Sequence, residues 1–131
     1  MLINLSNHPS ANWSRNQLAE GEKYGQVIDL PFPYVNPTFE TFEIIDLVKS
    51  FEKQVMAMLI NKNDELHAVH LMGELTFCFA LIARLQNIGI TCIGSTTKRI
   101  AIELPNGSKT SFFEFVRFRE YDKILPPAKL P

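Results

Sequence analysis

The chain has 131 residues, 46% of them hydrophobic and 21% charged, which predicts one domain that folds by itself and excludes two full domains. The formal net charge of −1 excludes a protein that coats nucleic acid through charge alone, so we expect no double-stranded nucleic acid as a partner.

The first part of the chain predicts a strand, a helix and a second strand. Residues 1–5 have the apolar composition of a short buried strand. Ser14 and Gln17 form a capping box that begins a helix ending near Gly25, and residues 26–30 predict the second strand.

A long amphipathic helix and a third strand follow. Asn36 before Pro37 predicts the helix start, because a proline suits the first helical position. Apolar residues at helical spacing continue the helix for about six turns, and the polar residues 61–65 end it. Residues 67–72 predict the third strand, and a turn at Gly73 leads into a very apolar helix.

The last third of the chain predicts a fourth strand and a β-hairpin. Residues 90–93 predict the strand, and residues 95–99 a polar turn after it. The segments 100–104 and 110–118 flank an Asn-Gly pair at 106–107, the strongest short hairpin signal.

This alternation predicts an α/β fold, with a Rossmann-like, mostly parallel sheet flanked by helices and a C-terminal β-hairpin. We expect residues 1–125 to form a single domain and the proline-rich residues 126–131 to form a flexible tail.

Cysteine usage and hydropathy indicate the compartment. Cys78 and Cys92 lie in apolar segments without metal-ligand spacing, so we expect two reduced, buried thiols and no metal or cofactor. The N-terminus lacks the features of a signal peptide, and Arg84 and Gln86 interrupt the longest apolar stretch. We therefore expect a cytoplasmic protein without a membrane span.

Compact polar segments follow three of the predicted strands, at residues 6–10, 72–76 and 94–99. The carboxyl ends of parallel strands share one edge of the sheet, and that edge is where such folds bind ligands. The three segments therefore predict one pocket, rich in hydroxyl, amide and cationic donors, for an anion or a nucleotide.

His8 is the first candidate in this pocket, since it directly follows the first strand. Its imidazole could act as a general base or donate to a phosphate, or it could cap the following helix. Asn7 and Ser10, together with Ser6, could bind an anion at the helix start or serve only as turn residues.

The second polar segment offers weaker candidates. Gly73 lets the backbone approach a ligand closely, although a glycine also simply permits the turn. Glu74 could accept a ribose hydroxyl, or stabilise the helix N-terminus. His70, inside the strand, is expected to be a packed core histidine.

The third polar segment is the sharpest local feature. Ser95, Thr96 and Thr97 supply three hydroxyls in a row. Lys98 and Arg99 follow with two cations, so the segment could surround a phosphate with charge-assisted hydrogen bonds. The alternative is a solvated loop before the hairpin.

The final strand carries aromatic and cationic residues at every second position: Phe113, Phe115, Arg117, Arg119 and Tyr121. Period-two alternation places them on one face, which would suit base stacking and phosphate contact. An outer strand that covers a helix explains the pattern equally well.

These motifs resemble small, stand-alone CRISPR-associated proteins that are Rossmann-like and related to CARF domains. The resemblance rests on residues 6–10 with Trp13 and Gln17, on residues 95–99 and on residues 115–121. CARF domains bind cyclic oligoadenylates, and some stand-alone members are ring nucleases that cleave this second messenger in antiviral defence. The resemblance implies a homodimer that binds a cyclic oligoadenylate.

The resemblance also implies roles for the candidate residues. In the metal-independent reaction of such ring nucleases, a ribose 2′-OH attacks the neighbouring phosphorus. The resemblance implies that His8 acts as acid or base, and that Lys98 and Arg99 are the cations that stabilise the developing charge. The remaining candidates would bind the ligand: Asn7, Ser10, Gly73, Glu74, Ser95, Thr96, Thr97 and Arg117. Whether the protein cleaves stays open, since a non-catalytic sensor of the same nucleotide or an interaction protein without nucleotide fits the same residues.

Overall fold

The computed structural model describes residues 1–60, 62 and 66–131. The elements in chain order are β1 Leu2–Ser6, a 3₁₀ turn Ser10–Asn12, α1 Arg15–Glu22, β2 Val27–Asp29, α2 Thr41–Leu59, β3 Ala68–Met72, α3 Leu75–Asn87, β4 Thr91–Glu103 and β5 Lys109–Glu120. The predicted α/β fold is therefore confirmed. Most of the polar stretch 61–65, expected to end α2, lies outside the described residues.

The five strands form one sheet in the order β2-β1-β3-β4-β5, in which only β5 runs antiparallel. The chain moves from β1 to one side for β2, and then crosses back to the other side for β3. This reversal is the topological switch point of doubly wound sheets, and it lies between β1 and β3.

Side chains of the central strands point alternately to the two faces of the sheet, and they pack into an apolar core on each face. Ile3 and Val69 face α2 and α3, where Phe77 of α3 is fully buried. Leu2 and Ala68, their immediate neighbours in the strands, face α1 and pack in the same cluster as Trp13. Burial on both faces explains why most residues of these strands are apolar.

Two helix starts test the capping signals. The predicted start of α1 is confirmed, because the Ser14 hydroxyl accepts a hydrogen bond from the Gln17 N–H at 3.1 Å. The predicted start of α2 at Pro37 is wrong. The Asn36 side chain instead accepts from Thr38 to form a local turn, and the helix begins at Thr41, after Glu40.

Strand β4 extends beyond the apolar residues that predicted it. The predicted polar turn at residues 95–99 is wrong, because β4 runs without interruption from Thr91 to Glu103 and pairs with β5 from Ile93 onward. The hairpin around Asn106 and Gly107 is confirmed, and Gly107 adopts a positive φ of 83° in its turn. Residues 95–99 are therefore one arm of a two-stranded ribbon.

The hairpin contains a β-bulge that changes which residues share a face. Thr97 lies opposite Phe115 and Thr96 opposite Arg117, so Val116 is an extra residue on β5. Beyond the bulge Phe118, and not Arg117, lies on the face of Phe115. The predicted single face from residue 113 to residue 121 is therefore wrong.

The remaining expectations concern the cysteines and the chain end. Cys78 and Cys92 are free and buried, as predicted, and burial raises the pKa of each thiol to about 12. Residues 126–131 are exposed and form no regular secondary structure. Within the described ranges, no helix combines the length and the apolar character needed to cross a membrane.

Candidate functional site

A cleft of about 620 Å³ opens at the carboxyl ends of β1 and β3, at the switch point of the sheet. Strand β3 pairs with β4 only as far as the His70–Ile93 pair, and beyond it the β4–β5 hairpin continues as one wall. The residues that line the cleft are Ser6, Asn7, His8, Asn12, Ser14, Gln17, His70, Met72, Gly73, Ser95, Thr97, Phe113 and Phe115. The predicted convergence of the strand ends thus produces a real cavity.

Two contacts explain how the hairpin separates from β3. The Tyr121 hydroxyl donates to the Leu71 carbonyl at 2.8 Å, and the ring lies close to Gly94, where a side chain would meet it. Next to it, the Ser95 N–H donates to the Met72 sulfur at 3.1 Å instead of to a strand carbonyl. The ladder therefore ends here, and a gap opens between the two strands.

His70 lies at the floor of this gap and is only 2% exposed. Its Nε2 lies 2.7 Å from the Ser95 hydroxyl, and its Nδ1 lies 2.8 Å from the Asn4 side-chain oxygen. Burial lowers the pKa of His70 from 6.5 to about 4, with a further contribution from the charge of nearby His8. The ring is therefore neutral at neutral pH.

The surrounding hydrogen bonds define the tautomer of this ring. The Asn4 amide nitrogen donates to the Asp29 carboxylate at 2.8 Å and to the His8 carbonyl at 2.9 Å, which leaves Asn4 Oδ1 as an acceptor. His70 Nδ1–H must donate to that oxygen, so Nε2 carries no proton and accepts from the Ser95 hydroxyl. The polar chain thus runs from Asp29 through Asn4 and His70 to Ser95.

Gln17 completes the network from the opposite wall. It is 6% exposed, and its amide nitrogen donates to the Ser95 hydroxyl at 3.1 Å. The capped first turn of α1 places it there, because Ser14 holds the Gln17 N–H. Ser95 therefore donates to His70 and accepts from Gln17, while it also lines the cleft.

The turn after β1 is held by its backbone, which leaves the side chains free to face the cleft. The His8 carbonyl accepts from the Trp13 indole at 3.0 Å as well as from Asn4. Asn7 and His8 both line the cleft. Ser10 lies outside the lining, because its backbone N–H and hydroxyl donate to Asp29.

The two candidates in the turn after β3, Gly73 and Glu74, have different surroundings. Gly73 lines the cleft, and the ring of Phe32 occupies the space where a side chain at residue 73 would begin. Glu74 caps α3 by accepting hydrogen bonds from Thr76 and from the Phe77 N–H. Its hydrogen bonds, chiefly the one from the Thr76 side chain, lower the pKa of Glu74. Its carboxylate is thereby engaged in the helix cap.

The residues of the third polar segment, 95–99, point alternately to the two sides of strand β4. Successive strand residues point to opposite faces, so Ser95, Thr97 and Arg99 share the cleft side. Ser95 and Thr97 line the cleft, and Arg99 lies farther out along the hairpin.

Thr96 and Lys98 point to the opposite side of the hairpin. The Thr96 hydroxyl donates to the Arg117 carbonyl at 3.1 Å, and Arg117, directly opposite Thr96 in the ladder, points to that same side. The structure therefore does not gather all five residues of the segment around one point.

Sequence reasoning missed two residues of the site: Asn4, and Gln17 as a cleft residue. It also treated His70 as core packing. The available signal was a polar residue within an otherwise apolar strand, namely Asn4 in Leu-Ile-Asn-Leu and His70 in Ala-Val-His-Leu. A buried polar side chain needs partners, so two such positions in neighbouring strands indicate a shared network.

Among residues 1–60, 62 and 66–131, no three His, Cys, Asp or Glu side chains cluster in a way that could hold a metal ion. The chain matches the Uncharacterized protein MJ1673 family over residues 1–119, and it belongs to that family. No curated protein and no solved structure matches it.

Proposed function

We propose that this member of the MJ1673 family binds a cyclic oligoadenylate in the cleft and opens the ring by metal-independent transesterification. The observation that carries the proposal is the chemistry of the lining. Hydroxyl, amide and imidazole groups converge with two phenylalanine rings, and none of the described lining residues is Asp or Glu. A phosphodiester anion suits such a site, because it meets hydrogen-bond donors without a facing carboxylate.

Each part of a nucleotide has suitable partners in the cleft. Phe113 is 68% exposed on the hairpin wall and Phe115 lies beside it, so an adenine base can stack there. Asn7 and Thr97 both line the cleft, so either can donate to a phosphate bound at the strand ends. The volume of about 620 Å³ lies within the range of small-molecule sites.

The ring as a whole needs more space than one cleft offers, which favours a homodimer. A cyclic oligoadenylate with an even number of nucleotides has twofold symmetry, and an isologous dimer would present two clefts side by side. Arg99, outside the cleft on the same side of the hairpin, would then reach phosphates near the twofold axis. The homodimer and a cytoplasmic location are therefore further parts of the proposal.

In the proposed reaction a ribose 2′-oxygen attacks the adjacent phosphorus. The 2′-O–P bond forms and the P–O5′ bond breaks, which yields a 2′,3′-cyclic phosphate and a free 5′-hydroxyl. The cleft supplies the in-line arrangement of the reacting atoms, and His8 at its rim can donate a proton to the leaving oxygen. The substrate class comes from the sequence resemblance to CARF-related proteins; the family description names no activity.

The test is incubation of the purified protein, with chelator present, with cyclic tetra- and hexa-adenylate, followed by mass analysis of the nucleotide. Linear fragments that end in a cyclic phosphate are expected. Intact rings that raise the melting temperature would identify the alternative, a non-catalytic sensor. Intact rings without stabilisation would refute the nucleotide site and favour an interaction protein.

A matched pair of variants locates the site within the hairpin. Thr97→Val removes a hydroxyl that lines the cleft, whereas Thr96→Val makes the same change one residue away on the opposite face. We expect weaker nucleotide binding only for Thr97→Val. Equal effects of the two substitutions would place the ligand elsewhere.

A further inference from the structure

We infer that Ser95, His70 and Asn4 form a proton relay that accepts the proton of the attacking 2′-hydroxyl; this inference rests on the proposed function. The relay assigns His70, which sequence reasoning placed in the core, a role in the chemistry. It also gives Ser95 a role beyond ligand binding, as the catalytic residue that touches the substrate.

The hydrogen bonds of Ser95 leave one position open toward the cleft. Its own proton is donated to His70 Nε2 at 2.7 Å, and one of its two lone pairs accepts from Gln17 at 3.1 Å. The second lone pair has no protein donor among the described residues, and Ser95 lines the cleft. A substrate hydroxyl can donate to that lone pair.

A hydroxyl backed by an imidazole, which is itself oriented by a third group, is the arrangement that activates serine side chains. Here the third group is Asn4, whose side-chain oxygen accepts from His70 Nδ1–H at 2.8 Å. The Asp29 carboxylate holds Asn4 in that orientation at 2.8 Å. His70 is held further by the edges of Trp13 and Phe118, with ring centroids at 5.3 and 5.5 Å.

Each proton that moves in the proposed step has a donor and an acceptor among these atoms. As the 2′-oxygen bonds to phosphorus, its proton passes to Ser95 Oγ, and the original proton of Ser95 passes to His70 Nε2. The electrons of the breaking P–O5′ bond stay on the 5′-oxygen, which takes a proton from His8 or from water. After product release, His70 returns its proton to solvent through Ser95.

The bound substrate favours this transfer. Burial keeps His70 Nε2 unprotonated at neutral pH before a substrate binds, although the same burial opposes its protonation. A phosphodiester anion beside the ring then stabilises the imidazolium that forms, because an opposite charge favours the charged state.

The test compares two substitutions at Ser95, in the full chain and with cyclic tetra-adenylate as substrate. Ser95→Thr keeps the hydroxyl, whereas Ser95→Val introduces a side chain of nearly the same shape as threonine that lacks the hydroxyl. We expect Ser95→Val to lower kcat by about 10²–10³-fold with KM within about threefold, and Ser95→Thr to recover most of the rate. His70→Gln should lower kcat in the same way, and Thr96→Val serves as the control on the opposite face.

The outcomes separate the relay from the proposed function. Equal kcat for Ser95→Thr and Ser95→Val in an active protein would overturn the relay and leave the nuclease standing. A change in KM alone would also overturn it, because Ser95 would then only bind. An inactive wild-type protein would overturn both proposals. Melting curves of the Thr and Val variants confirm that both are folded at the assay temperature; Ser95→Val is expected to melt lower, because it leaves His70 Nε2 and the Gln17 amide without their partner.

Discussion

Acid should destabilise the protein through His70. The folded state lowers the pKa of this imidazole from 6.5 to about 4, because the ring is buried between Asn4, Ser95 and two aromatic rings. Unfolding exposes the ring and restores its ordinary pKa. Between these two pH values the unfolded chain therefore binds one more proton than the folded chain, and stability falls as the pH falls.

The size of the effect follows from the two pKa values. A difference from 6.5 to about 4 corresponds to about 3 kcal/mol of stability, which is fully present above pH 6.5 and lost as the pH approaches 4. At pH 5 the loss already amounts to about 2 kcal/mol. This is a large share of the about 5–15 kcal/mol that stabilises a typical domain.

The assay is urea unfolding at a series of pH values from 8 to 4, with His70→Gln as the comparison. Glutamine keeps hydrogen-bonding capacity but does not titrate, so the variant should show a flatter pH dependence even if its stability at pH 8 is lower. The difference between the two curves isolates His70 from the carboxylates, such as Glu74, which titrate in both proteins. Parallel curves would refute the assignment of a buried, neutral His70.

Three further substitutions test the described contacts. Gly73→Ala should lower stability by about 1–3 kcal/mol in urea titrations, because the Phe32 ring occupies the space of the added methyl group; no change would mean that the ring moves aside freely. Glu74→Ala should lower stability by about 1 kcal/mol through loss of the α3 cap, and Glu74→Asp should restore most of it in thermal melts. Arg99→Ala should weaken cyclic nucleotide binding at least about tenfold in a titration, whereas Lys98→Ala on the opposite face should change it less than about twofold; equal losses would contradict the assigned faces.

Local signals were sufficient for most of the elements. The apolar runs at β1 and β3 identified buried parallel strands, because burial on both faces removes any polar alternation. Ser14 and Gln17 marked the start of α1, and the Asn-Gly pair at 106–107 marked the hairpin. These signals act within a few residues, so they need no knowledge of the rest of the fold.

The misplaced boundaries arose where two local signals competed. Asn36 before Pro37 is a good helix start, yet Asn36 bonds Thr38 in a separate turn and α2 begins later at Thr41. The polar run from Ser95 to Arg99 suggested a turn, although threonine and serine are compatible with an exposed hairpin strand. Only pairing with β5 decides between the two.

The sequence by itself determined that the chain forms an α/β domain and that the polar strand ends meet at one edge, since periodicity and parallel topology depend on the order of residues alone. The tertiary structure alone decided which of those residues face the cleft. The bulge at Val116 and the separation of β4 from β3 set the side to which each hairpin residue points. The neutral, oriented state of His70 likewise depends on partners 66 and 25 residues away, Asn4 and Ser95, because burial and hydrogen bonding are properties of the folded neighbourhood.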